Sequence, residues 1–192
     1  MTTDDGYRFA QSAVNKSDKH NMVMIWSAIP CTGGSPWQNI NKFLPVGEER
    51  IKSHLKIFRS LWKRLTTFVD WIHSTGRKWR ICVEWPKGCA YWNWKEVRVF
   101  LTKWNLQDIC FDGCAIGLKG RSGELLKKPW RVCTNDQHIL CALRNLTCSN
   151  TGNVLTDHVH AECRGIDCKD SEKYTFVIHK QGSQSIHEHY SR

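Results

Sequence analysis

Between positions 48 and 74 the apolar residues Ile51, Leu55, Phe58, Trp62, Leu65, Val69 and Ile72 recur at steps of three and four. That is the period of one helical face. Lys52, Lys56, Arg59, Lys63 and Arg64 fall mostly off this stripe. Glu48 and Glu49 suit the positive end of a helix dipole, and Gly76 supplies a C-terminal stop. The pattern predicts a long amphipathic helix over 48–74. Ahead of it, residues 22–29 are nearly all apolar and end at Pro30, the pattern of a buried strand. The loop between, 31–47, carries three glycines and two prolines.

Further on, 79–85 reads as a second strand stopped by Pro86, and 94–104 as a helix with Trp94, Val97, Leu101 and Trp104 on one face. Strands follow at 106–111 and 130–134, flanking a basic, hairpin-like connection over 119–128 with Gly120 and Gly123. A last helix is expected over 136–146, capped by Thr134 or Asn135. Buried strands alternating with helices predict an α/β fold with a mostly parallel sheet. In such sheets ligands gather at the carboxyl ends of strands, here 30–35, 84–86 and 112–118. The organisation expected is a flexible polar tail over 1–20, an α/β domain over 21–147, and a Cys/His-rich annex and tail over 148–192.

Composition sharpens this picture. The 192-residue chain carries a net charge of +10, ten tryptophans, ten cysteines and nine histidines. A basic surface attracts polyanions, and aromatic residues interleaved with Lys and Arg suit stacking on unpaired bases. Nucleic acid, DNA or RNA, is therefore the expected partner. Lys119, Arg121, Lys127, Lys128 and Arg131 cluster around one turn and are the candidate phosphate contacts. No apolar run approaches the length of a membrane span. The N-terminus lacks a basic-then-apolar leader, so an intracellular location is expected. Its cysteines are then thiols or metal ligands rather than disulfides. No P-loop, Gly-x-Ser-x-Gly or His-Glu-x-x-His occurs.

Two constellations carry candidate chemistry. Cys31 follows Pro30 at the end of the first strand, in a Gly-rich loop, where a thiol is placed to act as a nucleophile. Glu84 ends the next strand. Parallel neighbours would put both on one sheet edge. The second constellation is Cys148, His158, His160 and Cys163, whose spacing suits tetrahedral zinc. Cys114 is a further candidate if its loop folds back, with Cys133, Cys141 and Cys168 as competitors. A metal clip would explain how so polar a segment orders, and it points to a structural rather than a catalytic ion.

The order strand, Pro-Cys loop, helix, strand, Glu-x-x resembles the DNA cytosine-5 methyltransferases. That resemblance implies Cys31 as the nucleophile that attacks the cytosine ring and Glu84 as the contact to the ring nitrogen. It also implies S-adenosylmethionine as cofactor. Here Glu84-Trp85-Pro86 replaces the family's Glu-Asn-Val, and the stretch before Cys31 holds one glycine, Gly6, instead of a Gly-rich cofactor segment. The Rossmann-like sheet is therefore expected to be incomplete, with another protein segment supplying the cofactor-binding half.

A second resemblance spans about residues 22–175. Ile25-Trp26-Ser27, Pro30-Cys31-Thr32, Ser35, Gln38, Asn41, Glu84-Trp85-Pro86, Trp92, Asp112-Gly113-Cys114, Gly117-Leu118, Lys128-Pro129-Trp130, Thr134-Asn135, Cys148 and His158-Val159-His160 occur in the order seen in a segment of retroelement polyproteins. It implies a truncated methyltransferase-like domain borne by a mobile element. The function expected is a zinc-stabilised, nucleic-acid-binding domain that is not catalytic alone. The alternatives are a DNA or RNA cytosine methyltransferase, or half of one, and a basic Trp-rich viral-type protein-interaction module.

Overall fold

The computed structural model describes residues 4–150, 157–163, 165, 167, 168 and 171. The architecture is mixed α/β, and the chain divides into two compact units, Met1–Leu106 and Gln107–Arg192. The division falls ahead of the third strand. Among the described residues no helix is long and apolar enough to cross a membrane.

The first unit opens with a helix. The polar stretch expected to be a loose tail forms α1, Asp4–Lys16. Its acidic first turn and terminal Lys16 complement the helix dipole. Only Val14 is buried, so the apolar stripe is thin. Tertiary contacts hold it: Tyr7 meets the Phe68 ring edge-on at 5.8 Å, and Asp4 pairs with Arg64 at 2.8 Å. Beyond the helix, the Arg77 guanidinium donates to Ser17 Oγ, Ser17 O and Asp18 O.

Strands β1, Val23–Ser27, and β2, Trp79–Pro86, pair in parallel, with Ile25 opposite Ile81 and Ser27 opposite Val83. Between them run a short helix α2, Gln38–Asn41, and the long helix α3, Gly47–Ser74. The α3 stripe is the core face: Phe58, Trp62, Leu65, Val69 and Ile72 are all buried. Gly76 stops the helix with φ +71°. Gly47 starts it at a position only glycine fits, because an added Cβ would lie 2.0 Å from the Asn41 carbonyl oxygen.

A 3-10 turn, Ala90–Asn93, and helix α4, Lys95–Lys103, close the unit over an aromatic core. Phe58 stacks on Tyr91 at 3.7 Å, Trp62 meets Phe100 at 5.1 Å, and Trp85 meets Trp92 at 4.7 Å. Two of the buried indoles pair their N–H groups with carbonyls: Trp85 donates to Ile29 O and Trp92 to Pro86 O. Burial of this kind takes Trp85 and Trp92 out of contention as stacking surfaces for a base.

In the second unit β3, Gln107–Asp112, pairs with β5, Pro129–Thr134, in antiparallel register, Phe111 opposite Trp130. This corrects the mostly parallel sheet. The connection between these strands holds turns and no crossover helix, so the chain returns alongside in the opposite sense. Within it lies β4, Leu125–Leu126. Helix α5, Gln137–Leu143, follows, capped by neither Thr134 nor Asn135 but by Asp136, whose carboxylate accepts from the His138 and Ile139 N–H groups. Thr134 Oγ1 accepts instead from the Asp136 N–H at 3.0 Å. The last described strand is β6, His160–Ala161, parallel to β4.

Candidate metal centre

Four side chains converge in the second unit. The ligand atoms of Cys114, Cys148, His158 and His160 all lie within 4.8 Å of one another. Each is held by identifiable local structure.

Cys114 sits in a 3-10 turn, Gly113–Ile116, directly after β3. Gly113 lets that turn press against its neighbours: an added Cβ would lie 2.7 Å from Leu118 Cδ2 and 2.9 Å from the Leu126 carbonyl oxygen. The Gly113 N–H donates to Lys128 O, and Leu118 N–H donates to Gly113 O. Cys148 is tied to the same strand end. Its N–H donates to Asp112 Oδ2 at 2.9 Å, while Asp112 N–H donates to Leu146 O at 2.8 Å.

His160 lies in β6 opposite Leu125. Asn150 fixes His158 by acting as a strand would: its amide Nδ2 donates to His158 O at 2.8 Å and its Oδ1 accepts from the His158 N–H at 3.2 Å. The two imidazoles meet edge to face at 4.4 Å. Both turn Nε2 toward the Cys148 sulfur, His160 at 3.4 Å and His158 at 3.8 Å. A tetrahedral ion with bonds of about 2.0–2.3 Å to nitrogen and sulfur has ligand-to-ligand edges of about 3.3–3.8 Å. The two imidazole-to-sulfur spacings fall in that range. The set can hold a metal ion.

The electrostatics are consistent with ligation. Burial lowers the His160 pKa, and His158 and Lys127 add to the effect, so its imidazole is held neutral, the form that ligates. Burial, with Cys148 beside it, pushes the Cys114 thiol up to about 11. A cation would displace that proton.

Cys163 is not one of the four. Its Sγ lies 3.6 Å from Cys168 Sγ, and Cys168 donates its S–H to Cys163 O. Of the other competitors, Cys133 is buried and Cys141 exposed. All ten cysteines are unbridged thiols. Burial pushes Cys89 and Cys133 each up to about 12. Thiols pushed that high stay protonated at pH 8 and are poor nucleophiles. Cys89 and Cys133 should therefore resist alkylation in the folded chain while exposed Cys141 reacts at once. Mass spectrometry of timed alkylations checks this, and rapid labelling of Cys133 would contradict it.

The basic candidates fall into two groups. Lys119, Arg121 and Lys127 are exposed. Lys128 and Arg131 are half-buried and engaged inside the unit. Lys128 Nζ donates to Ser171 Oγ at 2.7 Å and lies 4.3 Å over the Trp130 ring, and Arg131 pairs with Asp108 at 3.4 Å.

In the first unit, Cys31 stands just before the 3-10 turn Thr32–Gly34, half-buried. The parallel register of β1 and β2 directs Cys31 and Glu84 toward the same strand ends. Glu84 is buried, 4% exposed. The groups near the Cys31 thiol include Cys89 and Tyr91, whose ionisation it opposes along with the dominant effect of burial. Sequence reasoning passed over Asn150 and the Cys163–Cys168 pairing. The first had no motif, and the second is disguised by the equally regular His160-x-x-Cys163 spacing.

No family model matches the chain, and neither curated proteins nor solved structures provide a match.

Proposed function

We propose that the chain is a zinc-stabilised nucleic-acid-binding module of a mobile element, not catalytic by itself. One observation carries this reading. The pairing of Leu125 with His160 joins the basic connection to the Cys/His quartet, and Lys127 lies close enough to lower the His160 pKa. An ion at the quartet would thus fix the loop that displays Lys119, Arg121 and Lys127. Two thiolates and two imidazoles are a zinc set by ligand softness and count. No ligand position in it is left for substrate, which favours a structural ion. The mobile-element setting rests on the resemblance of the dispersed motifs to retroelement polyproteins.

The test is anisotropy of labelled oligonucleotides against zinc-loaded protein over a range of salt. Three exposed cations on phosphates give a slope of log K against log salt near −2.7 on duplex, or about −2 on single strands. Lys119→Gln, Arg121→Gln and Lys127→Gln should each reduce that slope by about one. Binding that ignores salt, or no binding by folded, metal-loaded protein, would sink the reading.

The second reading is a methyltransferase-like first unit. What favours it is the parallel β1–β2 pair with Cys31 beyond one strand and Glu84 in the other. Calorimetry with S-adenosylmethionine decides it: saturable one-to-one binding supports catalysis, and no heat leaves the binding module.

A further inference from the structure

Outside the quartet, Cys163 and Cys168 form a separate thiol pair with its own surroundings. Their sulfurs are in contact at 3.6 Å and both are half-buried. The Cys168 S–H donates to Cys163 O at 3.1 Å, and Gly165, in a turn between them, has φ +53°. Ser171 Oγ donates to Cys168 O at 2.7 Å and lies 3.8 Å from Cys163 Sγ. That hydroxyl also accepts from Lys128 Nζ. Asp167, inside the turn, accepts from the Arg121 N–H at 3.0 Å. The turn is thereby docked on the basic connection at two points.

Among the described residues the two sulfurs are too few ligands for a tetrahedral ion, and the neighbouring hydroxyl is already engaged on both sides. Two sulfurs are the full complement for a covalent bond. Closing 3.6 Å to about 2.05 Å asks each sulfur to move by less than an ångström, within reach of a side-chain rotation.

We propose that Cys163 and Cys168 are a reversible disulfide site, oxidised by exchange with a low-molecular-weight disulfide such as glutathione disulfide. One thiol of the pair, as thiolate, attacks a glutathione sulfur and expels one glutathione thiolate. The second then attacks the protein sulfur of the mixed disulfide and expels the other. Two protons leave the pair, and its two electrons reduce the glutathione disulfide to two thiols. Burial, and Cys163 beside it, push the Cys168 thiol up to about 11, with Lys128 opposing, so Cys168 rests protonated and its exchange at neutral pH is slow. The bond would lock the turn that holds Arg121 and Lys128.

The experiment incubates the full chain, with its metal content measured, in glutathione buffers of graded redox poise. Acid quenching, alkylation, trypsin and tandem mass spectrometry follow. Trypsin cuts after Arg164, so Cys163 and Cys168 fall on different peptides that only a bridge can join. Cys148 shares the Cys163 peptide, and fragmentation tells the two apart. The expected result is a Cys163–Cys168 bridge in most chains under oxidising poise. Dithiothreitol reverses it, Cys163→Ser and Cys168→Ser abolish it, and the metal content is unchanged. Glutathione adducts without a bridge would overturn the proposal. So would a bridge to Cys148 with loss of metal, or loss of a second metal equivalent in either serine variant. A chain that binds no metal yet forms the bridge would overturn the zinc reading alone.

Discussion

Cys148→Ser is expected to abolish stoichiometric zinc binding and to unfold the part of the second unit that the quartet organises. Cys148 faces both imidazoles, at 3.4 and 3.8 Å, and closes the set with Cys114. A hydroxyl in its place is a poor zinc ligand at neutral pH, because its proton is far harder to displace than a thiol's. Structural zinc contributes on the order of 10 kcal/mol of apparent binding free energy to small domains. That exceeds the typical stability of a domain, about 5–15 kcal/mol, at its lower end. Elemental analysis after gel filtration should fall from one zinc per chain to none. A chelator should lower the melting transition of the parent protein and leave the variant unmoved. Cys141→Ser, at an exposed site, serves as the control that keeps both metal and stability. A variant that still carries one zinc would show that the four residues are not the ligands.

The second large effect belongs to the first unit. Trp85→Ala removes a side chain that is 1% exposed and touches the rings of Phe58, Trp62, Tyr91 and Trp92. Truncating a buried aromatic to alanine costs about 3–5 kcal/mol through lost burial and the cavity left behind. The substitution also strips the Ile29 carbonyl of the indole N–H that reaches it at 2.7 Å, a further loss of about 1 kcal/mol. The sum approaches the whole stability of an ordinary domain. Urea denaturation should show either a midpoint moved far down or no cooperative transition at all. Trp85→Phe should recover most of the packing and none of the hydrogen bond. Equal behaviour of the Ala and Phe variants would place the stabilisation elsewhere.

These two sites differ in how readable they were in the sequence. The aromatic core was visible through the α3 stripe, because the helical period registers burial directly. The metal quartet was only partly visible. His158 and His160 share a short segment with Cys148, and local spacing suffices to suspect them. Cys114 is remote in sequence, and its approach depends on the turn after β3 and on Asp112 taking the Cys148 N–H. Local spacing also favoured Cys163 as much as His160, yet the fold turns its sulfur to Cys168.

Strand direction was not legible, since hydrophobic patterning marks burial and is blind to polarity. The turn signals around Gly120 and Gly123 were the only hint that β5 returns antiparallel to β3. The N-terminal helix was missed for a related reason. One buried residue, Val14, is too little stripe to see, and the helix is held by Arg64 and Phe68 on α3. At the start of α5, Thr134, Asn135 and Asp136 are all competent caps in a row. The choice fell to Asp136 because Thr134 ends a strand and spends its hydroxyl on the Asp136 N–H.

The spread of the four ligands along the chain has a kinetic consequence. Cys148, His158 and His160 lie close in sequence and could hold an ion before the rest of the unit folds. Cys114 would join only after β3 and its turn had formed and the intervening chain had been gathered in. Loop closure costs more for distant residues, so the last coordination bond waits on the slowest part of the topology. The ion would then act as a latch that reports assembly. Capture by the local trio would come early and be easily undone, and exchange with solvent metal would stop once the distant cysteine closed the set.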